Sequence, residues 1–402
     1  MPSRLHTIIA TTDIHSRLDR ADGLIAELQS RAGHGLRVDA GDFFEGTGYY
    51  QEGAGALERR LLTGLYDIIA PGNHGWQHYL QPDLHAITVN ANTTTLDTDE
   101  PLFRPFRTVR LHGRRVAVTG VIGEEAFDAI RVHHRAGHRW KDPATVLAQL
   151  VSSHHDIDDW VVLSHSGFDT DLALATTVPD ISVIFSGHCH SPRPGPITVG
   201  RTLVVKGPEH AVGYALAHPT PSGWTATTAL FPTDQPVPAP WLPFTRDLAA
   251  TAARLDQPLG PVAAPWRGIC PDRHTLVKAL AERLHRLTGM PVLLNDTLLR
   301  PHPLGEQLRA GDLLALEPFA NRLVIAPTTG LDDPRAWQTW LTRHAHPDLA
   351  GPLVTAPALN HAPPTLLTSD YLADTFLPPG HREAPVSLTH ALRDVLLSRP
   401  LS

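Results

Sequence analysis

Short segments rich in β-branched residues alternate with helical segments over the first 230 residues of the chain. The predicted strands lie at residues 5–11, 36–38, 68–70, 115–121, 160–164, 183–185 and 202–205, and the predicted helices lie at residues 20–32, 55–62, 143–154 and 169–176. Such alternation predicts an α/β layered fold. Because ligand sites of these folds lie at the carboxyl ends of strands, the residues that follow each strand are the first candidates for function.

Polar side chains follow five of these strands at the point where each strand ends. They are two aspartates, one asparagine and five histidines: Asp13, His15, Asp42, Asn73, His74, His165, His188 and His190. Mixed oxygen and imidazole ligands favour Mn²⁺, Zn²⁺, Co²⁺ or Fe, whereas Mg²⁺ and Ca²⁺ prefer oxygen alone. Two such ions about 3.5–4 Å apart can hold the attacking and leaving oxygens of a phosphoryl displacement. The spacing therefore predicts a site for two divalent ions, with Asp42 as a candidate bridge.

Composition narrows the class of protein. Of the 402 residues, 42% are apolar and 19% are charged, and the net charge is −7. This balance is typical of a globular protein, is compatible with a soluble enzyme, and disfavours a nucleic-acid polymer or a membrane as a partner. A small-molecule phosphate ester is the partner expected from the two-ion site. The two cysteines make no disulfide framework, and Cys189 is expected to pack rather than to bind metal. No apolar leader segment precedes the first strand, so we expect a cytoplasmic location.

The chain is expected to contain two domains. Residues 1–230 form the predicted catalytic domain, residues 231–265 a Pro-rich linker with a helix, and residues 266–402 a second domain. In the second domain we predict a helix at residues 274–288 and strands at 292–294 and 321–326. Asp171 is expected to cap a helix, and the pairs His133–His134 and His154–His155 are expected to lie on the surface.

The order Asp-x-His, Gly-Asp-x-x-x-Gly, Gly-Asn-His, a single His and Gly-His-x-His resembles the calcineurin-like metallophosphoesterases. The segments at residues 12–18, 39–42, 163–168 and 187–190 resemble the 5′-nucleotidase branch more narrowly, and so do the segments at 295–300, 309–312, 317–321 and 367–373. The resemblance implies a four-layer α/β/β/α sandwich followed by a smaller α+β domain that binds the substrate.

The resemblance also implies a role for each residue. One ion would be held by Asp13, His15, Asp42 and His190, and the other by Asp42, Asn73, His165 and His188. The expected catalytic residues are His74 and Asn73. His74 would stabilise the phosphoryl group or protonate the leaving oxygen, and metal-activated water would be the nucleophile. The expected substrate-binding residues are Asn295, Arg300, Phe319, Asn321, Tyr371 and Phe376. The implied reaction is hydrolysis of a nucleoside 5′-monophosphate or a nucleotide-like monoester.

Two departures from the family pattern keep other functions open. The family usually reads Gly-Asn-His-Glu-Phe-Asp where this chain reads Gly-Asn-His-Gly-Trp-Gln, so neutral Gln77 replaces a carboxylate that would stabilise a charged His74. The glycines after Asn295 and in a late substrate loop are also replaced. The alternatives are a phosphatase for a non-nucleotide specialised metabolite, a cyclic-nucleotide phosphodiesterase or nucleotide-sugar hydrolase, and a metal-binding protein with weakened catalysis.

Overall fold

The chain divides into two compact units. The computed structural model describes residues 5–191, 195–346 and 349–398. One unit comprises Met1–Glu45 and Gly53–Ala249, and the other comprises Gly46–Glu52 and Ala250–Ser402. The boundary near residue 250 falls inside a helix of the predicted linker, and a short segment from the N-terminal half packs with the second unit. The domain bounds derived from the sequence stay a prediction.

The first unit contains two sheets and a two-stranded ribbon among the described residues. Its strands are β1 (Thr7–Thr11), β2 (Gly35–Asp39), β3 (Ile68–Ile69), β4 (Thr93–Thr95), β5 (Phe106–Leu111), β6 (Arg114–Ile122), β7 (His138–Trp140), β8 (Asp159–His165), β9 (Ile181–Ser186), β10 (Ile197–Val199), β11 (Thr202–Val205), β12 (Gly213–Thr220) and β13 (Gly223–Leu230). The first sheet has the order β13-β12-β1-β2-β3 and the second the order β10-β11-β9-β8-β6-β5, while β4 pairs with β7. In the first sheet β1, β2 and β3 are parallel. In the second β6, β8, β9 and β11 are parallel.

The two sheets pack face to face, with helices on their outer faces. The helices of this unit are α1 (Ala21–Ser30), α3 (Ala56–Leu65), α4 (Trp76–Tyr79), α5 (Pro82–His85), α6 (Glu124–Ala129), α7 (Val132–Arg135), α8 (Pro143–Ser152) and α9 (Phe168–Thr177). All but the last residue of α2 (Gly48–Gly53) belongs to the second unit, and α10 (Leu242–Leu255) crosses the boundary between the units. Between the sheets, Ile8 and Val38 of the first meet Val161 and Phe185 of the second in one buried cluster. Outside the second sheet, α8 and α9 bury a further apolar cluster.

The first sheet is covered by α1 on its outer face, where Tyr214 of β12 donates a hydrogen bond to Glu27 at 2.8 Å. The layers are therefore α/β/β/α, as the resemblance implied. Each predicted strand and helix of this unit has a counterpart, but the sequence analysis missed the hairpin of β12 and β13. Its alternation of alanine, threonine and glycine with an internal proline carries little apolar periodicity.

Asp171 does not cap a helix, contrary to the prediction. Gly167 is the N-cap of α9, and the buried Asp171 carboxyl accepts a hydrogen bond from Ser164 of β8 at 2.6 Å. Burial raises the pKa of Asp171 to about 7. The residue therefore ties α9 to the strand that ends at His165.

Replacing Asp171 with asparagine is expected to raise the unfolding temperature at pH 8 and to change it little near pH 4. The unfolded aspartate ionises near its ordinary pKa of 3.8, whereas the folded one holds its proton to about pH 7. The wild type therefore loses stability as the pH rises through that window, and an uncharged asparagine does not. Thermal unfolding at both pH values checks this, and equal pH dependence of the two proteins would contradict it.

The second unit is built on a mixed sheet with helices on both faces. Its strands are β14 (Pro258–Pro261), β15 (Val292–Asn295), β16 (Gln307–Arg309), β17 (Leu323–Pro327), β18 (Leu353–Ala356), β19 (Thr365–Ser369) and β20 (Arg382–Glu383), and its helices are α11 (Arg273–Thr288), α12 (Ala310–Leu316), α13 (Pro334–His344), α14 (Asp370–Phe376) and α15 (Leu388–Leu396). The sheet has the order β18-β15-β19-β17-β20. Leu280 of α11 and Leu392 of α15 share a core with Leu294 on one face, and Trp337 of α13 packs with Leu293 on the other.

Candidate metal centre

The predicted ligands lie where strands of the first unit end. In the first sheet, Asp13, Asp42 and Asn73 follow the parallel strands β1, β2 and β3. In the second sheet, His165 is the last residue of β8, and His188 and His190 follow β9. Because parallel strands end at the same edge of a sheet, both sheets contribute side chains to one cluster.

The backbone of the cluster is held in an uncommon conformation. Asp13, His15, Asp42 and His188 have φ angles of 50°, 48°, 55° and 77°. The left-handed region costs a residue with a side chain about 1–2 kcal/mol. Backbone hydrogen bonds hold the loops there, from Asp13 N to Gly41 O at 3.0 Å and from His15 N to Asp42 O at 3.0 Å. Strain of this kind is typical of functional sites.

One group of ligand-type atoms surrounds His15. Its Nε2 lies 3.9 Å from Asp13 Oδ1 and 3.7 Å from Asp42 Oδ2. This buried nitrogen has no hydrogen-bond partner in the part of the chain that the structure describes. The rings of His15 and His190 are 5.3 Å apart, and ligand atoms of Asp13, His15 and His190 all lie within 4.8 Å of one another. An unpartnered nitrogen between two carboxylates fits a divalent cation.

A second group shares Asp42 with the first. His165 Nε2 lies 3.2 Å from Asp42 Oδ2. The side-chain oxygen of Asn73 lies 3.2 Å from His165 Nε2 and 3.1 Å from His188 Nδ1. Ligand atoms of Asp42, His165 and His188 lie within 4.8 Å of one another. The donor set of carboxylate, amide oxygen and imidazole fits Mn²⁺, Zn²⁺, Co²⁺ or Fe.

Asp42 and His165 each shift the pKa of the other. Burial by itself raises the pKa of Asp42, but the charges of His165 and His74 hold it well below its usual range. Burial lowers the pKa of His165, and the Asp42 carboxylate outweighs it and raises that pKa to about 9. His165 Nδ1 lies 2.9 Å from Ala40 O, which fixes the ring with Nε2 toward Asp42.

Gly41 and Gly72 allow the backbone to lie close to the side chains of the proposed ligands. A side chain on Gly72 would place Cβ 2.1 Å from Asp42 Oδ1, and one on Gly41 would place it 2.6 Å from His165 Nδ1. Both positions therefore require a residue without Cβ.

Replacing Gly72 with alanine is expected to weaken metal binding by about 10–100-fold, the range seen when support of a metal ligand is lost. The new methyl group must displace the Asp42 carboxylate and its backbone nitrogen, which would lie 2.4 Å away. Titration of chelator-treated protein with Mn²⁺ or Zn²⁺ measures the change. Gly53→Ala is the matched control because a Cβ there meets nothing within 4 Å. Equal affinity of the two variants would contradict the expectation.

The side chains that hold His190 were not predicted from the sequence. Glu209, in the loop before β12, lies with Oε2 2.6 Å from His190 Nδ1. Buried Lys206 bonds to Glu209 and to the carbonyl oxygen of Cys189, and the Cys189 thiol accepts a hydrogen bond from Phe168 N at 2.9 Å. A glutamate that follows a strand by several residues has no spacing rule that would identify it.

A carboxylate next to His74 was also missed. His74 N donates to Asp42 Oδ1 at 2.8 Å, and the rings of His74 and His15 are 5.0 Å apart. His74 Nδ1 lies 2.8 Å from Glu45 Oε2. Glu45 is one of the variable positions in the Gly-Asp-x-x-x-Gly segment, so the only sequence signal for it is its position directly before Gly46.

The six predicted substrate-binding residues lie in the second unit. The Arg300 guanidinium lies 4.9 Å from the centre of the Phe319 ring, and the Tyr371 and Phe376 rings are 5.9 Å apart. The Asn321 amide donates to Glu317 Oε1 at 2.9 Å. Asn295 is buried, and its amide donates to Ala350 O at 3.1 Å. Contact of these residues with a substrate stays a prediction.

No helix in the described residues is both long and apolar enough to span a bilayer.

Part of the chain matches a known protein family. The family model of the calcineurin-like phosphoesterases matches residues 6–192. The 5′-nucleotidase of Diplobatis ommata is 25% identical over 218 residues, which are 46% of this chain and 37% of that protein. The aligned part thus spans little more than a third of that relative.

Solved structures share the fold across both units. The 5′-nucleotidase precursor from Thermus thermophilus has a TM-score of 0.71 at 19% identity and covers 98% of this chain and 96% of its own. The sulfate thiohydrolase SoxB of Thermus thermophilus also has a TM-score of 0.71, at 15% identity, and covers 99% and 95%. At these identities the likeness concerns the fold alone. Residues 6–192 therefore match the calcineurin-like phosphoesterase family, and the chain as a whole is similar in fold to 5′-nucleotidases.

Proposed function

We propose that the chain hydrolyses a phosphate monoester with two divalent ions and removes phosphate from a nucleoside 5′-monophosphate or a nucleotide-like molecule. The observation that carries this proposal is the position of Asp42, whose Oδ2 lies 3.7 Å from His15 Nε2 and 3.2 Å from His165 Nε2. A shared carboxylate brings two cations close enough to act on one phosphoryl group. We also propose a cytoplasmic location and a small-molecule substrate.

The ligand sets proposed here are Asp13, His15, Asp42 and His190 for one ion, and Asp42, Asn73, His165 and His188 for the other. Mn²⁺, Zn²⁺, Co²⁺ or Fe would suit these donors. When bound, such ions would activate water and neutralise phosphoryl charge. The protein itself would orient the ester for attack and supply a proton donor.

His74 is the proposed proton donor and phosphoryl contact. Neither proposed ligand set includes His74, yet its backbone nitrogen donates a hydrogen bond to Asp42, which would be shared by both ions. Because Nδ1 is engaged by Glu45, Nε2 is the ring nitrogen proposed to face a phosphoryl or leaving oxygen. Asn73, one residue earlier, would combine metal binding with the placement of His74.

The nucleoside part of the proposal depends on the second unit. Arg300 over Phe319 presents a cation and an aromatic ring together, a combination that suits a planar or anionic group. Tyr371, Phe376, Asn321 and Asn295 complete the proposed substrate-binding set. The relative from Diplobatis ommata, named a 5′-nucleotidase, supports this substrate class.

A non-nucleotide phosphate ester is the second candidate. The glycines that the family carries after Asn295 are replaced by Asp296, Thr297 and Leu298 in this chain. Bulkier residues change the shape of any pocket that includes them. A specialised-metabolite phosphate would fit the same metal chemistry.

A phosphate-release panel separates these candidates. Metal-loaded protein is assayed with AMP, GMP, UMP, sugar phosphates, a cyclic nucleotide and a nucleotide sugar. We expect the wild type to have its highest kcat/KM with nucleoside 5′-monophosphates. We expect Phe319→Ala to have a higher KM for AMP than the wild type and to keep its metal. Release only from sugar or other phosphates would favour the second candidate. Turnover only of the cyclic nucleotide or nucleotide sugar would contradict monoester hydrolysis.

A further inference from the structure

We propose that Glu45 is the positioning residue that orients His74 and directs its Nε2 to the substrate, in place of a carboxylate at position 77. This inference rests on the proposed phosphoesterase function and names a residue that acts through the proton donor. Glu45 lies in the loop after β2, three residues beyond Asp42, whereas position 77 lies in α4.

Both oxygens of Glu45 are engaged by the segment that carries the histidine. Oε2 lies 2.8 Å from His74 Nδ1, and Oε1 accepts a hydrogen bond from Gly75 N at 2.9 Å. A carboxylate held at two points has a defined orientation. Because a carboxylate only accepts, His74 Nδ1 carries the proton, and Nε2 is the ring nitrogen that can exchange one with a substrate.

The surroundings of Glu45 favour this role. The side chains of Glu45 and His74 are 14% and 22% exposed, so the pair is shielded from water but not sealed. Burial raises the pKa of Glu45, but the hydrogen bond and charge of His74, with the charge of Arg131, outweigh it and lower the pKa. An ionised, partly shielded carboxylate accepts a stronger hydrogen bond from the Nδ1–H of His74 than an amide oxygen can.

The backbone of Glu45 supports the same conclusion. Its φ is 63°, a left-handed conformation that a residue with a side chain rarely adopts. It is also the last residue of the first unit before the chain enters the second at Gly46. This turn directs the Glu45 side chain back to the loop after β3. Neither helical nor strand spacing predicts such a contact.

The test compares Glu45→Gln with Glu124→Gln, the same chemical change at an exposed residue of α6. We expect Glu45→Gln to lower kcat by about 10–100-fold, with KM and the number of bound metal ions unchanged. Glu124→Gln is expected to match the wild type. Glu45→Asp, which keeps the carboxylate, is expected to retain more activity than Glu45→Gln, and Gln77→Ala is expected to lose less than either.

A second readout does not depend on activity. In metal-free protein, a hydrogen-bonded imidazole Nδ1–H gives a downfield proton resonance, which His74→Ala identifies by its loss. We expect Glu45→Gln to shift or remove that resonance and Glu124→Gln to leave it unchanged. An unshifted resonance in Glu45→Gln, a wild-type kcat in that variant, or a larger loss in Gln77→Ala would overturn the inference. If the wild type releases no phosphate from any ester, the proposed function fails, while the resonance still decides whether Glu45 orients His74.

Discussion

Asp42→Asn is expected to lower phosphate release by about 10³–10⁴-fold and to reduce the metal content below two ions per chain. Asp42 belongs to both groups of ligand-type atoms, with Oδ2 3.2 Å from His165 Nε2 and 3.7 Å from His15 Nε2. An amide supplies one oxygen without charge, so it cannot neutralise two cations. The loss of several kcal/mol of charge stabilisation corresponds to a rate decrease of that size.

Two measurements check this expectation: elemental analysis of metal-loaded protein and the rate of phosphate release. Asp97→Asn is the matched control, since Asp97 is exposed and lies outside the cluster. If Asp42→Asn keeps two ions and near-wild-type turnover, Asp42 is not the carboxylate that both ions share.

His74→Ala is expected to reduce turnover by about 10²–10⁴-fold, the range for a group that transfers a proton or stabilises developing charge. In contrast with Asp42→Asn, it should leave the metal content near two, because both proposed ligand sets are complete without His74. The contrast between the two variants separates a ligand from a proton donor.

The same pair of assays tests His74, with exposed His34→Ala as the matched histidine control. If His74→Ala instead loses metal in proportion to activity, then His74 is a ligand. Ligand atoms of His15, Asp42 and His74 all lie within 4.8 Å of one another, so that result would fit the structure. The role of His74 would then be metal binding and not proton donation.

The sequence predicted the layered fold because its strands are short and apolar and end in polar turns. It also predicted which side chains gather, since Asp13, Asp42 and His165 all stand at the carboxyl ends of strands. It did not predict the hairpin of β12 and β13, whose small residues lack a clear period, or the link from Asp171 to Ser164. The local pattern around Asp171 indicated a cap, whereas burial against β8 decided its role.

The supporting carboxylates were beyond the reach of motif spacing. Glu45 and Glu209 come from loops and contact histidines that are distant in sequence, so their roles depend on how the loops turn back. The family pattern places the charged partner of His74 at position 77, which is neutral Gln77 here, but the turn at Glu45 supplies a carboxylate from another strand end. Sequence patterns identify residues fixed by strand ends, and tertiary contacts decide which residues orient them.

Metal-dependent phosphate release by the wild-type protein tests the central claim most directly. Chelator-treated protein is titrated with Mn²⁺, Co²⁺ or Zn²⁺, and phosphate release from AMP is followed together with the metal bound per chain. The account predicts no release without metal and a recovery of activity that is complete when two ions are bound. Full activity in metal-free protein, or two bound ions with no release from AMP or any other phosphate ester, would contradict it.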